Sequence, residues 1–488
     1  VSGEPSLFRR RVRDLVKRPP VTCDARVAAV DVARRLSSEG VGSVVIVDAG
    51  GAPVGIVTDR DLRRRVVAEA ADPRTVDAAS IMSAPLVTIR PGAFAFEAVL
   101  EMTRRRIRHL VVLDDGGRAV GVVSSRDILV LDTTHPVTVA REIGRAVTLD
   151  ALADHARRVT ELAGRLLDEG GTAHDIGQIV AELNDRLVLR VLGLTLEELE
   201  ARGEAPPPVP WCWIALGSEA RREQTLRTDQ DNGLIYGDPP PDLADTAARF
   251  YRRFAELAIA GLVKVGFPPC PGGAMASNPR WCQPLRVWRD YFLEWITASA
   301  PTHVLEASIY FDLRPLAGAS ELGVELHGLV REQAPKQRRF LDIVANDVVS
   351  RPVPLTVFGN VRVPRHGTHA GAVDVKGGGS LQLVGAARLL ALERGLGETN
   401  TIERFRAAAA AGALDPGQVG EITDAFQHLL RTRLRHQLEQ VRRGEVPDNL
   451  VRLETLSHAD ALLFRDALQT VRKVQGAIRE RFATDFVR

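Results

Sequence analysis

Aromatic side chains make up only 5% of this 488-residue chain, which also holds just three methionines and four cysteines. Cys23, Cys212, Cys270 and Cys282 are scattered and none has C-x-x-C spacing, which argues against a zinc site and for reduced thiols. Neither sign of charge dominates. The 64 basic and 62 acidic residues leave a formal charge of +2, giving no support to a general nucleic-acid or polyanion-binding role. Long apolar runs are missing too: "VGSVVIV" stops far short of the roughly 20 residues needed to cross a bilayer, so no membrane span is expected. No charged-then-apolar leader opens the chain, secretion is not expected, and the expected compartment is the cytoplasm.

What is present is length and balance. The chain is long enough for about three or four units, and 45% hydrophobic with 26% charged residues is the composition of a soluble globular protein.

The first third repeats itself. "VGSVVIVDAGGAPVGIVTDRDL" from Val41 aligns without a gap on "IRHLVVLDDGGRAVGVVSSRDI" from Ile107, an offset of 66 residues. The same offset relates Thr22 to Thr88, Gly55 to Gly121 and Asp61 to Asp127. A period this long exceeds the 20–50 residues of solenoid repeats and predicts two tandem copies of a small domain. In each copy two β-branched strands flank a Gly-Gly turn, and Thr58 or Ser124 stands where a helix should start. Amphipathic helices are expected near Val27 to Leu36 and Ala95 to Met102.

The pattern resembles the tandem CBS (cystathionine β-synthase) domain pair over residues 12–132, with copies at about 12–68 and 78–132. The motifs that carry it are "GIVTDRD" and "GVVSSRD". The resemblance implies an adenosine-nucleotide site (AMP, ADP or ATP) at Thr22, Thr58, Asp61, Thr88, Ser124 and Asp127, because a carboxylate can accept from both hydroxyls of a ribose. The same residues could equally act as helix caps alone. CBS pairs stack, so a homodimer is implied.

From residue 138 to 202 the apolar period becomes helical: Ile176, Val180, Leu183, Leu187 and Val191 share one face. Gly170-Gly171 should split this connector into two helices, and "GEAPPPVP" ends it as a rigid linker.

Next comes "WCWIALGSEARREQTLRTDQDNGLIYG", in which an apolar strand breaks at Gly217-Ser218. Glycine lets a ligand approach the backbone, and Ser218 is expected to N-cap a helix aimed at an anion. Asp229 and Asp231, two apart, would share one face of a following strand. Such a pair repels itself unless a cation sits between, and Mg²⁺ is the hard ion that combines carboxylates with phosphate oxygens. Asp312, inside the apolar "ASIYFDLRPLAG", is the candidate third ligand, since burying it is costly without a partner.

This arrangement resembles the DNA polymerase β-like nucleotidyltransferase superfamily, whose signature is Gly-Ser or Gly-Gly, a spacer, then Asp-x-Asp; here the spacing from Gly217 to Asp229 is 12. Together with "GFPPCPGGAMASNPRWCQPL" and "NTIERF", the segments more closely resemble a bacterial family of CBS-linked nucleotidyltransferases. That family is akin to the uridylyltransferase domain acting on the PII signal protein. The resemblance implies catalysis and metal binding at Asp229, Asp231 and Asp312 with two Mg²⁺, and phosphate contacts at Gly217, Ser218 and Arg221. An NTP would be the donor and a protein or small molecule the acceptor. Ala220, where the family has glycine, and Gln230, where a hydrophobic residue is usual, depart from the pattern. The loop holding Cys270 and Cys282 is expected to face substrate.

The remaining chain is Ala- and Leu-rich and helical, resembling that family's substrate-binding bundle. Lys376, beside a glycine run, is either a phosphate contact or a solvated residue before a helix. The expected architecture is multidomain α+β. It comprises a tandem CBS pair (12–132), a helical connector (138–202), a nucleotidyltransferase α/β core (203–329) and a C-terminal helical bundle (330–488). The expected function is Mg²⁺-dependent nucleotidyl transfer regulated by adenine nucleotide. The rival expectation is a catalytically silent nucleotide-sensing interaction protein.

Overall fold

The computed structural model describes residues 7–8, 10–128, 136–226, 229–297, 308–364, 366 and 369–482. The chain divides into two compact units, Val1–Ala140 and Arg141–Arg488.

The first unit holds two three-stranded sheets of identical order. In one, β1 (Thr22–Asp24) runs parallel to β2 (Ser43–Val47), which pairs antiparallel with β3 (Pro53–Thr58). In the other, β4 (Thr88–Ile89), β5 (His109–Leu113) and β6 (Ala119–Ser124) repeat this arrangement. The turns are built alike: Asp48 accepts from the Gly50 and Ala52 N–H groups, and Asp114 from those of Gly116 and Arg118. The expected helices are α1 (Ala29–Glu39) and α2 (Ala95–Arg105), each a few residues longer at its C-terminal end than expected.

The copies exchange their leading segments. Val12 and Leu15 are buried with Ala95, Val99, Leu110 and Ile128 in the second core, while Ala78 and Ile81 are buried in the first with Ala29, Val44 and Val57. Glycine permits the contact: a Cβ on Gly55 would lie 2.3 Å from Met82 Sδ, and one on Gly121 would lie 2.4 Å from Val16 Cγ1. Residues 129–132 of the expected second copy lie outside the described residues.

The connector holds one helix more than expected, Pro136–Ile143, followed by α3 (Leu149–Asp168) and α4 (Ala173–Ala201), which are capped by Thr148 and Thr172 and separated at Gly170, whose φ is 88°. A four-stranded sheet follows in the order β10-β7-β8-β9. Here β7 (Trp211–Leu216) is antiparallel to both β8 (Asn232–Tyr236) and β10 (Leu313–Gly318), and β9 (Cys282–Pro284) is parallel to β8. The helices α5 (Ala244–Val265), α6 (Leu285–Thr297) and α7 (Ser320–Gln333) accompany it. The bundle contains α8 (Arg338–Ser350), α9 (Leu381–Arg394), α10 (Thr401–Ala410), α11 (Gln418–Arg442) and α12 (His458–Phe482). A small antiparallel pair, β11 (Ala372–Asp374) and β12 (Leu450–Arg452), crosses it. One apolar core runs through sheet and bundle, from Ile214 and Phe311 to Phe340, Phe426 and Phe482, so the expected boundary at 329/330 divides the chain but not the core. No helix among the described residues is long and apolar enough to cross a membrane.

Candidate functional site

Strand β7 is buried along nearly its whole length and delivers the chain to Gly217 at the edge of the sheet. Gly217 has φ 53°, a left-handed conformation suited to glycine, and a Cβ there would lie 2.9 Å from Ile309 Cγ1 and 3.2 Å from Asp231 Oδ2. Its N–H donates to the carbonyls of Ile309 (3.3 Å) and Asp312 (3.0 Å), so this donor is committed within the protein. Ser218 is not the expected cap. Leu216 occupies that position and Ser218 sits half-buried in the four-residue helix Gly217–Ala220, because the helix begins directly off β7.

Asp229 and Asp231 precede β8 instead of lying on it, although the ladder continues through the Leu216 N–H to the Asp231 carbonyl at 2.9 Å. Asp229 is exposed and Asp231 half-buried. Burial, reinforced by the Asp229 charge, pushes the Asp231 carboxyl up to about 6, against a hydrogen bond from Cys270 and the attraction of Lys376. Gln230 and Asn232 explain the departure from a hydrophobic pattern. Gln230 Nε2 donates to the Phe267 carbonyl (2.9 Å) and its N–H to that of Pro268; Asn232 Oδ1 accepts from Ala276 N–H (2.9 Å). The residues flanking Asp231 thus staple the Pro/Gly-rich loop beside the carboxylates, and Cys270 comes with it.

Asp312 departs from the metal-ligand role expected of it. It is fully buried, and both carboxylate oxygens are taken by guanidinium groups. Arg221 reaches Oδ2 at 2.6 Å, Arg388 reaches Oδ1 at 3.0 Å and Oδ2 at 2.5 Å, and Arg404 reaches Oδ1 at 2.5 Å. The premise that so buried an aspartate needs a partner holds, but the partner is three arginines. Burial opposes ionisation, and the charges of Arg388, Arg404 and Arg221 outweigh it, holding the carboxyl far below the usual range. Arg221 is likewise committed: its Nε donates to Glu223 Oε2 at 2.7 Å, and it is itself buried, so it stands behind the site and not on its surface. Glu223 in turn accepts from the Thr401 N–H (2.6 Å) and hydroxyl (3.0 Å), while Asn400 caps α10 and donates to the Arg221 carbonyl. "NTIERF" is therefore the clamp between bundle and sheet.

Lys376 is brought to the site. Its side chain is half-buried, and burial and Arg433 lower its pKa while Asp231 and Asp229 oppose them. Arg433, which sequence reasoning missed within the basic run "RTRLRHQ", is buried and feels the charges of Asp374 and Asp229. Glu219 is buried behind Asp231, and burial together with Asp185 pushes its carboxyl up to about 8. Among the described residues no group of three His, Cys, Asp or Glu side chains is arranged to hold a metal ion.

Four of the six adenosine-site candidates pair at helix starts, Thr58 with Asp61 in a capping box and Ser124 with Asp127. Asp61 Oδ2 accepts from the Thr58 N–H (2.9 Å) and hydroxyl (2.6 Å), and Asp127 Oδ2 accepts the equivalent pair from Ser124. The outer oxygens differ: Asp61 accepts from the Ser83 hydroxyl at 3.1 Å, whereas Asp127 takes the Lys17 ammonium at 2.7 Å. Ser83 and Lys17 are themselves related by the 66-residue offset. Thr22 is half-buried and Thr88 exposed.

Family models match most of the chain: "Putative nucleotidyltransferase DUF294" over residues 157–302, "Putative nucleotidyltransferase substrate binding domain" over 338–482, and "CBS domain" over 12–68 and 78–142. An uncharacterized protein of Methanopyrus kandleri is 36% identical over 132 residues, 27% of this chain and 67% of that protein. Inosine-5'-monophosphate dehydrogenase of Mycobacterium tuberculosis is 30% identical over 207 residues, 42% of this chain and 36% of the enzyme. L-aspartate semialdehyde sulfurtransferase of Methanocaldococcus jannaschii is 29% identical over 117 residues, and the chain spans only 22% of it. Among solved structures, a CBS domain protein from Pyrobaculum aerophilum complexed with AMP is 34% identical, covering 25% of this chain and 92% of that one, at a TM-score of 0.24.

Proposed function

This chain belongs to the CBS-linked family that carries the DUF294 nucleotidyltransferase domain with its substrate-binding bundle, and from that premise we propose a Mg²⁺-dependent transfer of a nucleoside monophosphate from an NTP to an acceptor. The observation that carries the reading is the meeting of Asp231 with bare glycine backbone: its Oδ2 lies where a Gly217 Cβ would crowd it, with Asp229 adjoining. A like-charged carboxylate pair of which one member is half-buried favours a cation, and these two residues would hold one. The expected second ion loses its support because Asp312 is saturated by arginine. Bound there, Mg²⁺ would neutralise phosphate charge.

The protein's own groups would do the rest. The half-exposed Ser218 hydroxyl would donate to a phosphate oxygen, and Lys376 would supply positive charge opposite the carboxylates. Arg221 and Asp312 would position the Gly217–Ala220 turn without touching substrate. The acceptor class we favour is a protein, as in uridylylation of the PII signal protein, with a small molecule as the alternative. AMP, ADP or ATP would bind the first unit through Asp61 or Asp127 and adjust activity, in a cytoplasmic homodimer formed through the CBS pairs.

Incubation of the purified chain with α-labelled ATP, UTP, CTP or GTP in a lysate tests this. One nucleotide should label a discrete acceptor, and Asp229→Asn or Asp231→Asn should abolish the label with the fold intact. Absence of transfer from all four nucleotides would defeat the reading. The second reading, a silent nucleotide sensor, is favoured by the committed Gly217 N–H and the arginine-filled Asp312. On that reading Asp229→Asn would leave the cellular phenotype intact while Asp61→Ala or Asp127→Ala removed it.

A further inference from the structure

Two cations in the second unit have no carboxylate in ion-pairing contact among the described residues, Asp374 and Asp229 acting on Arg433, and Asp231 and Asp229 on Lys376, only through space. Arg433 on α11 is 6% exposed, yet among the described residues no carboxylate lies within ion-pairing distance of it, and its only hydrogen bond goes from Nε to Asn449 Oδ1 at 2.6 Å. The ammonium of Lys376, whose side chain is half-buried, makes neither an ion pair nor a hydrogen bond among the described residues. This contrasts with Arg221, Arg388 and Arg404, each paired with carboxylate in the adjoining network. An enclosed guanidinium with no anion in contact is costly to keep, so its retention asks for an anion that arrives later.

The two cations are held in place by the same residue. Asn449 orients Arg433 through its side-chain oxygen, accepts there also from Gln437 Nε2 (3.3 Å), and through its carbonyl accepts the Val375 N–H (3.0 Å), next to Lys376. Gln437, one turn along α11, accepts from the Thr225 hydroxyl at 2.6 Å, tying the helix to the segment that leads into Asp229. Both cations interact electrostatically with Asp229 and with Arg221. On the bundle side the cations Lys376 and Arg433 thus stand toward Asp229, with Asp374 the strongest charge acting on Arg433, while Arg221 stays behind the site with Asp312 and Glu223.

We propose that Arg433 and Lys376, aligned by Asn449, form an anion receptor on the bundle that takes the β- and γ-phosphates of the nucleotide, the part leaving as pyrophosphate. The choice of pyrophosphate as ligand rests on the nucleotidyl-transfer reading; the receptor itself rests on the enclosed, unpaired cations. A planar guanidinium donates in parallel to two phosphate oxygens, and the ammonium adds a second, movable charge.

Calorimetric titration of inorganic pyrophosphate into the full chain, in metal-free buffer, tests the receptor apart from turnover. The wild type should bind pyrophosphate saturably and more tightly than inorganic phosphate. Arg433→Gln and Lys376→Met should each weaken it by about tenfold or more, the scale of a lost charged hydrogen bond. Asp229→Asn, which removes a repelling charge, should bind at least as tightly as wild type. No saturable binding by the wild type, or wild-type affinity in both Arg433→Gln and Lys376→Met, would overturn the proposal. If Arg433→Gln fails to fold, the less buried Lys376→Met carries the test alone. Pyrophosphate binding that follows this pattern in a protein that transfers no nucleotide upholds the receptor and removes the transferase reading.

Discussion

Asp312 and Glu219 show how differently two buried acids can be treated a few residues from one site. Asp312 keeps its charge because three guanidiniums surround it, and the cluster includes two acids, Asp312 and Glu223, against Arg221, Arg388 and Arg404. Removing one partner from such a network leaves uncompensated charge in a dry interior. Asp312→Asn should therefore destabilise the second unit by about 3–5 kcal/mol, read as a lower midpoint in urea unfolding, since it leaves Arg388 and Arg404 without their carboxylate and Arg221 with Glu223 alone. Glu219 takes the other course: with its carboxyl at about 8, it is neutral in the folded state at neutral pH. A raised carboxyl binds its proton more tightly folded than unfolded, so its contribution is present at low pH and is lost as pH climbs from the ordinary carboxylate range through about 8. Glu219→Gln should flatten that decline and raise the urea midpoint at pH 8 to 9, with little change near pH 5. Equal loss of stability with pH in both proteins would contradict it.

At the scale of elements, the repeat was legible because the 66-residue offset is a pattern of identities, and both sheets follow from it. The exchange of leading segments was not, because Val12, Leu15, Ala78 and Ile81 look alike whichever core receives them. Only the glycines hinted at it, as points of close approach in β3 and β6. Gly121→Ala places a methyl group against Val16, and overpacking of this kind costs about 1–3 kcal/mol. The measurable outcome is a lower thermal midpoint for the first unit, relieved when Val16→Ala is added; additive loss in the double variant would refute the contact. The Gly217 break, the two aspartates and Lys376 were also readable locally, from backbone freedom and charge spacing. The identity of Asp312's partners was not, since Arg388 and Arg404 lie 76 and 92 residues away and basic residues in helices carry no sign of what they face. Arg433 was hidden for the same reason, one arginine among three in a short run.

Across the whole molecule, one core unites the sheet and the bundle, and polar contacts that cross between them gather around Asp312, Arg221 and Glu223. Thr225 to Gln437, Glu223 to Thr401 and Asp312 to Arg388 each join residues far apart in sequence. Changes in the bundle therefore bear on the site without touching a ligand. The first unit is organised on a different principle, by duplication, and its two copies have diverged where Lys17 and Ser83 meet their aspartates.

The exchanged segments also give the two copies unequal folding histories. The first core closes between Cys23 and Ile81, whereas the second must bring Val12 back to residues as far on as Ile128. Closing the longer loop costs more chain entropy before any contact rewards it, so the second core is the slower to form. On a ribosome the difference widens: the first core has all its parts by the time residue 83 emerges, while Val12 and Leu15 wait, apolar and uncovered, for a sheet not yet made. Copies with the same strand order in the native state are thus separated in the order of their birth, and in the interval between them Val12 and Leu15 need protection.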